Sequence, residues 1–184
     1  MEVCLAIELS SSNKSIIEEE SLTIFNKHKE FLWFDPLEFR IPLFTWSDVD
    51  VDMIPKLTEK LQSILFETDR FTIFAHEYVV KISSRIDIFL QFQHEAKFTR
   101  LVRTLQDGLY GTGRVLQEDF PKVAIARYKI PAKQQYSHLK NDLAKLKTQV
   151  EISVDSLSLV HITQFGKGAT EGKELSRISL LNKI

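Results

Sequence analysis

Amphipathic segments alternate along this chain with short, almost wholly apolar runs, and this alternation limits the folds that are open to it. Three stretches, near 52–66, 95–109 and 132–149, each carry one apolar stripe at a spacing of three to four residues, which predicts helices. The apolar runs predict strands and lie at 1–9, 70–77, 86–92, 120–127 and 157–164. Because a helix with one apolar stripe covers one face of a sheet, the pattern favours an α+β fold in layers.

One more helix is expected near the N-terminus. The polar cluster 10–13 (SSSN) should turn the chain after the first strand and supply an N-cap. Apolar residues then recur at near-helical spacing, which predicts a helix over about 15–32. Asp35-Pro36 is expected to end it, because the residue before a proline avoids the helical conformation.

The length and composition limit the number of domains and the size of the hydrophobic core. A chain of 184 residues with 43% hydrophobic content is able to bury one good core, or two small lobes that share an interface. No Pro/Gly/Ser-rich linker divides it, so residues 1–184 are interpreted as a single domain. The formal net charge of −1 gives no global field that would attract nucleic acid. Any anion site must therefore be a local patch.

The cysteine and histidine content argues against several classes of protein. The single cysteine, Cys4, excludes an intrachain disulfide framework and lies in an apolar strand, where a buried, inert thiol is expected. The histidines show no metal-ligand spacing and no phosphate-cradling Gly-rich loop occurs, so neither a metal nor a cofactor is expected. With no apolar run near the roughly 20 residues needed to cross a membrane, and no secretory signal, the expected location is the cytoplasm.

Two segments about eighty residues apart share an incomplete pattern. The second, 120–127 (FPKVAIAR), resembles a signature of the 2H phosphoesterases, the LigT-like family of 2′-5′ RNA ligases and cyclic phosphodiesterases. That signature reads roughly Pro-His-x-Thr-apolar-Ala-Arg. Pro121 and Arg127 fit it, but Lys122 replaces the His and Ala124 the Thr. The segment therefore keeps the frame of the signature but lacks its reactive side chains.

The first signature of that family, His-x-Thr-apolar, is matched in position by 39–44 (FRIPLF). Here Arg40 stands for the His and Pro42 for the Thr. The order and spacing of the predicted elements extend the resemblance over nearly the whole chain. It implies a two-lobed fold of two mainly antiparallel sheets, with helices on their outer faces and a central cleft, in which the lobes are pseudo-repeats.

The replacements remove the chemistry that the resemblance would imply. In the family, each His-x-Thr places two side chains on one face of a strand, and the two histidines act as general base and general acid on a phosphate. A guanidinium stays protonated in proteins, so Arg40 is unable to act as the base. We therefore expect no turnover of 2′,3′-cyclic nucleotides or 2′-5′ linkages.

The cations at these positions leave two interpretations open. In one, Arg40, Lys122 and Arg127 face one cleft and bind the phosphate of an RNA end or nucleotide through charge-assisted hydrogen bonds. In the other, sequence divergence has left three surface cations at these positions that bind no ligand. A function of another class is also open: a protein-interaction module that kept the scaffold without a ligand, for which the 13 Phe residues could supply the contact surface.

His161-Ile162-Thr163 reproduces His-x-Thr letter for letter but lies 121 residues after Arg40, outside the spacing of the family signatures. Chance in a half-exposed strand is one explanation. The alternative is that His161 reaches the cleft from a neighbouring strand and supplies a titratable group there. One histidine without a partner would still not restore the paired mechanism.

Overall fold

Two antiparallel five-stranded sheets contain the strands of residues 1–83, 85–117, 120–128, 133–164 and 170–181, the part of the chain that the computed structural model describes. The strands are β1 (Glu2–Glu8), β2 (Leu32–Trp33), β3 (Arg40–Trp46), β4 (Phe71–Ile82), β5 (Ile86–Phe92), β6 (Arg114–Val115), β7 (Lys122–Tyr128), β8 (Glu151–Val154), β9 (Ser156–Gln164) and β10 (Thr170–Ser179). The helices are α1 (Ser11–Phe25), α2 (Ile54–Ile64), α3 (Ala96–Gly108) and α4 (Lys133–Leu143). One sheet has the order β10-β9-β1-β3-β6 and the other β2-β7-β5-β4-β8.

The α+β class and the two antiparallel sheets expected from the sequence are confirmed. Strands β3 and β7, which carry the two incomplete signatures, belong to different sheets and contact each other where the two lobes meet. Helix α2 contacts β10 and α3, whereas α4 contacts α1 and β4. None of the described helices is long and apolar enough to cross a membrane.

Helix α1 begins where the polar cluster predicted it and ends earlier than expected. Ser10 is its N-cap, and the Ser10 hydroxyl accepts a hydrogen bond from the Asn13 N–H at 3.2 Å. The predicted extent of 15–32 was wrong, because the helix ends at Phe25 and β2 forms at 32–33. The apolar residues after Phe25 therefore contact the core from a loop and a short strand, which helical spacing alone did not distinguish.

The next two helices lie close to their predicted positions. Helix α2 begins at Ile54 with Pro55 in its first turn, where the missing N–H of a proline costs no hydrogen bond. The side chain of Glu95 caps α3 by accepting a hydrogen bond from the Lys97 N–H at 3.1 Å. The prediction for the last helix, 132–149, was too long: α4 ends at Leu143, and the end of its apolar stripe continues into the loop that leads to β8.

The two signature strands share an irregularity at the same place. In β3 the pairing with β1 shifts so that Leu5 opposes Phe44 and Ala6 opposes Pro42, which leaves Leu43 as an extra residue. In β7 the pairing with β5 shifts in the same way, leaving Ile125 as the extra residue. These β-bulges occupy equivalent positions, three residues after the first residue of each strand. The lobes are thus alike at the strands that face each other.

Each bulge changes which side chains share a face. Alternation with period two would place Lys122, Ala124 and Ala126 together, but the extra residue shifts the pattern. Along β7, Val123, Ile125 and Ala126 are buried, whereas 122, 124 and 127 are half-buried. The bulge therefore brings Arg127 onto the face that carries Ala124.

Candidate functional site

A cavity of about 210 Å³ lies where β3 and β7 meet, and both lobes line it. We call it the inter-lobe cavity, and its lining residues are Cys4, Phe34, Glu38, Arg40, Pro42, Ala124, Arg127 and Ile162. Four of the positions singled out from the sequence (Arg40, Pro42, Ala124 and Arg127) thus lie around one space. The structure brings together the two segments that resemble the 2H phosphoesterase signatures.

Pro42 is accommodated by the bulge beside it. A proline in the interior of a sheet removes a ladder N–H, and such prolines concentrate at bulges and edges. Pro42 directly precedes the extra residue Leu43, where the ladder between β1 and β3 is already interrupted. The lost N–H therefore costs little here, and the pyrrolidine ring forms part of the cavity wall.

Arg40 is the more enclosed of the two arginines. Its side chain is only 11% exposed, with Nε 3.4 Å from Glu8 Oε1 and Nη2 3.9 Å from Glu38 Oε2. Its Nε is buried and makes no hydrogen bond to any described residue. Buried donors without a partner are uncommon in folded proteins, because each one loses its hydrogen bonds to water. This Nε is enclosed beside Glu8, so Arg40 faces the cavity through the rest of its side chain.

Arg127 is held by a buried carboxylate and an aromatic ring. Its Nε donates to Asp87 Oδ1 at 2.7 Å, and its Cζ lies 5.5 Å from the centre of the Phe34 ring. Asp87 also accepts a hydrogen bond from Arg85 Nε through Oδ2 at 3.1 Å. One carboxylate thus orients two arginines, of which Arg127 lines the cavity and Arg85 does not.

Lys122, the third predicted phosphate ligand, does not line the cavity. Its side chain is half-buried two residues before Ala124, and its backbone carbonyl accepts a hydrogen bond from Gln117 Nε2 at 3.3 Å. The structure therefore groups Arg40 with Arg127 and leaves Lys122 beside the cavity.

His161 also lies away from the cavity. It is opposite Val3 of β1 and Lys173 of β10, and its neighbour Ile162 is a cavity residue. Because consecutive side chains of a strand point to opposite faces, His161 belongs to the other face of β9. None of the described residues that line the cavity is a histidine.

The sequence interpretation missed the carboxylates that neutralise the arginines. Glu8 is opposite Arg40 in the antiparallel pairing of β1 with β3, so its proximity depends on the register between strands distant in sequence. Asp87 had a local signal, since a charged residue between Ile86 and Ile88 interrupts an apolar strand and is expected to be paired.

The side chains in the cavity do not provide paired acid–base chemistry. Burial raises the pKa of the Cys4 thiol to about 12, although the charge of Arg40 opposes this effect. Arginine remains protonated, so neither Arg40 nor Arg127 accepts a proton near neutral pH. No group of three or more His, Cys, Asp or Glu side chains able to hold a metal ion occurs among the described residues.

Solved structures of other proteins share this fold over nearly its full length. TT0787 of Thermus thermophilus is 17% identical with a TM-score of 0.73, and the match covers 98% of each chain. Escherichia coli LigT, in a crystal structure with 3′-AMP, is 15% identical with a TM-score of 0.72 over 98% of each chain. The chain has the LigT-like 2H phosphoesterase fold. The resemblance drawn from the signatures is therefore confirmed at the level of the fold.

Kluyveromyces marxianus Usb1 is a more distant structural neighbour, 13% identical, with a TM-score of 0.53 over 95% of this chain and 97% of the other. Escherichia coli LigT has also been crystallised with ATP, with NADP+ and with phosphate. No protein-family sequence model matches the chain, and no curated protein is significantly similar to it in sequence.

Proposed function

We propose that the inter-lobe cavity binds the phosphate of an RNA end or a nucleotide, and that the protein does not turn this ligand over. The observation that carries the proposal is that Arg40 and Arg127, one from each signature strand, line the same cavity. Guanidinium groups bind phosphate oxygens through charge-assisted hydrogen bonds, which are about twice as strong as neutral ones.

The volume of the cavity fits a small anionic group. The inter-lobe cavity has a volume of about 210 Å³. Sites for drug-sized ligands typically measure about 300–1,000 Å³. A phosphate with part of its sugar fits inside, and the base of a nucleotide would lie outside the cavity. The structures of Escherichia coli LigT with phosphate and with 3′-AMP support this choice of ligand class.

The absence of turnover is proposed from the residues that replace the two histidines. A general acid or base contributes about 10²–10⁴-fold to a rate, and its pKa must lie near the working pH. A guanidinium stays protonated in proteins, so Arg40 is not a proton acceptor, and Lys122 lies outside the cavity lining. In this proposal the cavity binds phosphate but lacks the pair of side chains, one on each side of the phosphate, that would accept and donate a proton.

Binding of inorganic phosphate and of 3′-AMP, measured by isothermal titration calorimetry, tests the proposal. We expect binding that weakens as salt rises and falls about tenfold or more in Arg127→Ala, since that variant removes a charged ligand. Arg85→Ala is the matched control, because it removes the other arginine bound to Asp87 without changing the cavity lining. Equal binding by the wild type and Arg127→Ala would contradict the proposal.

A second candidate function, a protein-interaction module without a small ligand, is favoured by the counter-charges. Glu8 and Glu38 lie near Arg40, and Asp87 binds Arg127, so much of the positive charge is already neutralised. A phosphate would have to compete with these carboxylates. If neither phosphate nor 3′-AMP binds at low ionic strength, this second function becomes the better account. For either function the proposed location is the cytoplasm, as expected from the sequence.

A further inference from the structure

Part of one edge of strand β4 has no partner strand among the described residues. Its first part, 71–74, pairs with β8 on one side, and its second part pairs with β5 on the other. From His76 to Ile82, no strand of the described chain pairs with the side of β4 that faces away from β5. Unpaired N–H and C=O groups along such an edge are a template for another strand.

A groove runs beside this edge. It has a volume of about 530 Å³ and lies between residues 76–80 of β4 and the α4 side, where Tyr136, Lys140, Leu143, Ala144 and Leu146 line it. Its lining is mixed, with apolar side chains from both elements and a charged residue on each side. Space for a further strand is therefore present along the unpaired stretch.

The pairing of β4 with β5 fixes which backbone groups face the groove. Ser83 donates its N–H to the Arg85 carbonyl at 2.8 Å, so these two residues form a hydrogen-bonded pair. Hydrogen-bonded and non-hydrogen-bonded pairs alternate along an antiparallel ladder. In the register of β4 with β5, residues 77, 79 and 81 therefore bond to β5. Tyr78, Val80 and Ile82 direct their N–H and C=O groups toward the groove.

We propose that a second copy of this chain occupies the edge, as an antiparallel strand with Tyr78 opposite Val80 of the second copy. This register joins two residues whose backbone N–H and C=O groups face the groove, and the two-fold axis then passes midway between the Val79 residues of the two copies. The two five-stranded sheets that contain β4 in each copy become one continuous sheet across the interface. The proposal concerns a surface separate from the inter-lobe cavity and does not depend on what the cavity binds.

Charge complementarity favours a second copy of the chain at this edge, and it favours the register with Tyr78 opposite Val80. With Tyr78 opposite Val80, Glu77 is opposite Lys81 of the second copy, and Lys81 is opposite its Glu77. Both side chains are exposed, the Glu77 side chain by 57%. In the two nearest registers that also pair residues whose backbone groups face the groove, Glu77 is opposite Val79 or Ser83. Opposite charges facing across a ladder stabilise it, whereas like charges destabilise it.

The oligomeric state of four proteins, measured by sedimentation equilibrium over a range of concentrations, tests the proposal. We expect the wild type to dimerise, and Glu77→Lys and Lys81→Glu each to weaken the dimer roughly tenfold or more, because each places like charges opposite one another twice. An equimolar mixture of these two variants should dimerise like the wild type, since every facing pair in the heterodimer is again Glu with Lys. Glu59→Lys on α2 has the same change in charge at an exposed position and should leave the dimer intact.

A backbone substitution gives a second, independent measurement. Val80→Pro removes an N–H that faces the groove and none that bonds to β5, so it should abolish the dimer while the circular dichroism spectrum stays native. A wild-type protein that stays monomeric at all concentrations overturns the proposal. The alternative occupant of the edge is then an extended peptide of another protein. A dimer that persists in both Glu77→Lys and Val80→Pro also overturns it, because its interface must then lie elsewhere.

Discussion

Gly172 of β10 lies directly against the guanidinium group of Arg40 of β3, and a Cβ atom at this glycine would collide with Nη1. The two strands are not neighbours in their sheet, where β9 and β1 separate them. Strand β10 therefore reaches the Arg40 side chain across the sheet, and it also contacts residues 36–38. The contact explains the enclosure of Arg40, which is held between this backbone and the carboxylates of Glu8 and Glu38.

Gly172→Ala is expected to destabilise the protein by about 1–3 kcal/mol, the usual cost of forcing extra atoms into a packed site. In an Arg40→Ala background the same change should cost almost nothing, because the colliding group is gone. Urea unfolding of the four proteins of this double-mutant cycle measures the coupling. Gly111→Ala serves as the control, since Gly111 has a positive φ of 74° and open space around it. Its cost should be the same with or without Arg40.

The wild type is expected not to hydrolyse 2′,3′-cyclic AMP above background, since no histidine is among the described residues that line the cavity. The fourfold variant Arg40→His, Pro42→Thr, Lys122→His and Ala124→Thr should hydrolyse it measurably, because these positions lie on equivalent strands with equivalent bulges. Chromatographic detection of 2′-AMP and 3′-AMP is the assay. Wild-type turnover that disappears in His161→Ala would show that the histidine on the other face of β9 is the reactive one.

Acid should affect the junction of α1 and α4 through Asp142. Hydrogen bonds from Lys145 and then from His28, the latter at 3.2 Å from Oδ2, lower the pKa of the Asp142 carboxyl. A lowered pKa in the folded state contributes stability above the unfolded pKa of about 4, and this stability is lost as the pH falls through the folded value. Asp142→Asn should therefore raise the unfolding equilibrium constant roughly tenfold at pH 6 and scarcely change it at pH 2.5.

The control for this pH dependence is Asp50→Asn. Asp50 is exposed and its side chain makes no capping hydrogen bond, so its replacement should leave stability nearly unchanged at both pH values. An equal loss of stability in Asp142→Asn at pH 6 and pH 2.5 would mean that the effect comes from packing and not from the charge.

Cys4 is expected to resist thiol reagents in the folded protein. The thiolate is the nucleophile, and burial raises the pKa of this thiol to about 12. Compared with a thiol of pKa about 8.5, the thiolate fraction at pH 8 falls on the order of 10³-fold. Labelling with Ellman's reagent should therefore be slow in buffer and complete within minutes in urea. Fast labelling of the folded protein would show that the cavity opens to solvent.

Helical periodicity predicted α2 and α3 to within a few residues, because each has one apolar stripe and a definite first turn. It failed beyond Phe25 and Leu143, where apolar side chains continue to contact the core from loops. Sequence patterns did not reveal four strands, namely β2, β6, β8 and β10. Two of them contain only two residues, and most of the described side chains of β10 are polar, so pairing with neighbours determines their structure.

The signatures predicted which strands form the site but not which of their residues line the cavity. Arg127 faces the cavity with Ala124 because of the bulge at Ile125, which a rule of strict alternation does not anticipate. The sequence also predicts a turn at Gly166 and Gly168, which lie outside the described residues. Glu8 and Asp87, which pair with Arg40 and Arg127, come from distant parts of the chain, so the sequence alone does not show that these arginines are paired with carboxylates.

Asp87 holds Arg127 through one oxygen and Arg85 through the other, yet it is not part of the cavity wall. The electrostatic potential of the cavity is therefore adjustable from behind the strand. Replacing that one carboxylate by an amide would remove one negative charge from the region while every cavity-lining residue stayed the same. Among proteins of this fold, affinity for phosphate could be gained or lost by divergence at a position that no ligand touches.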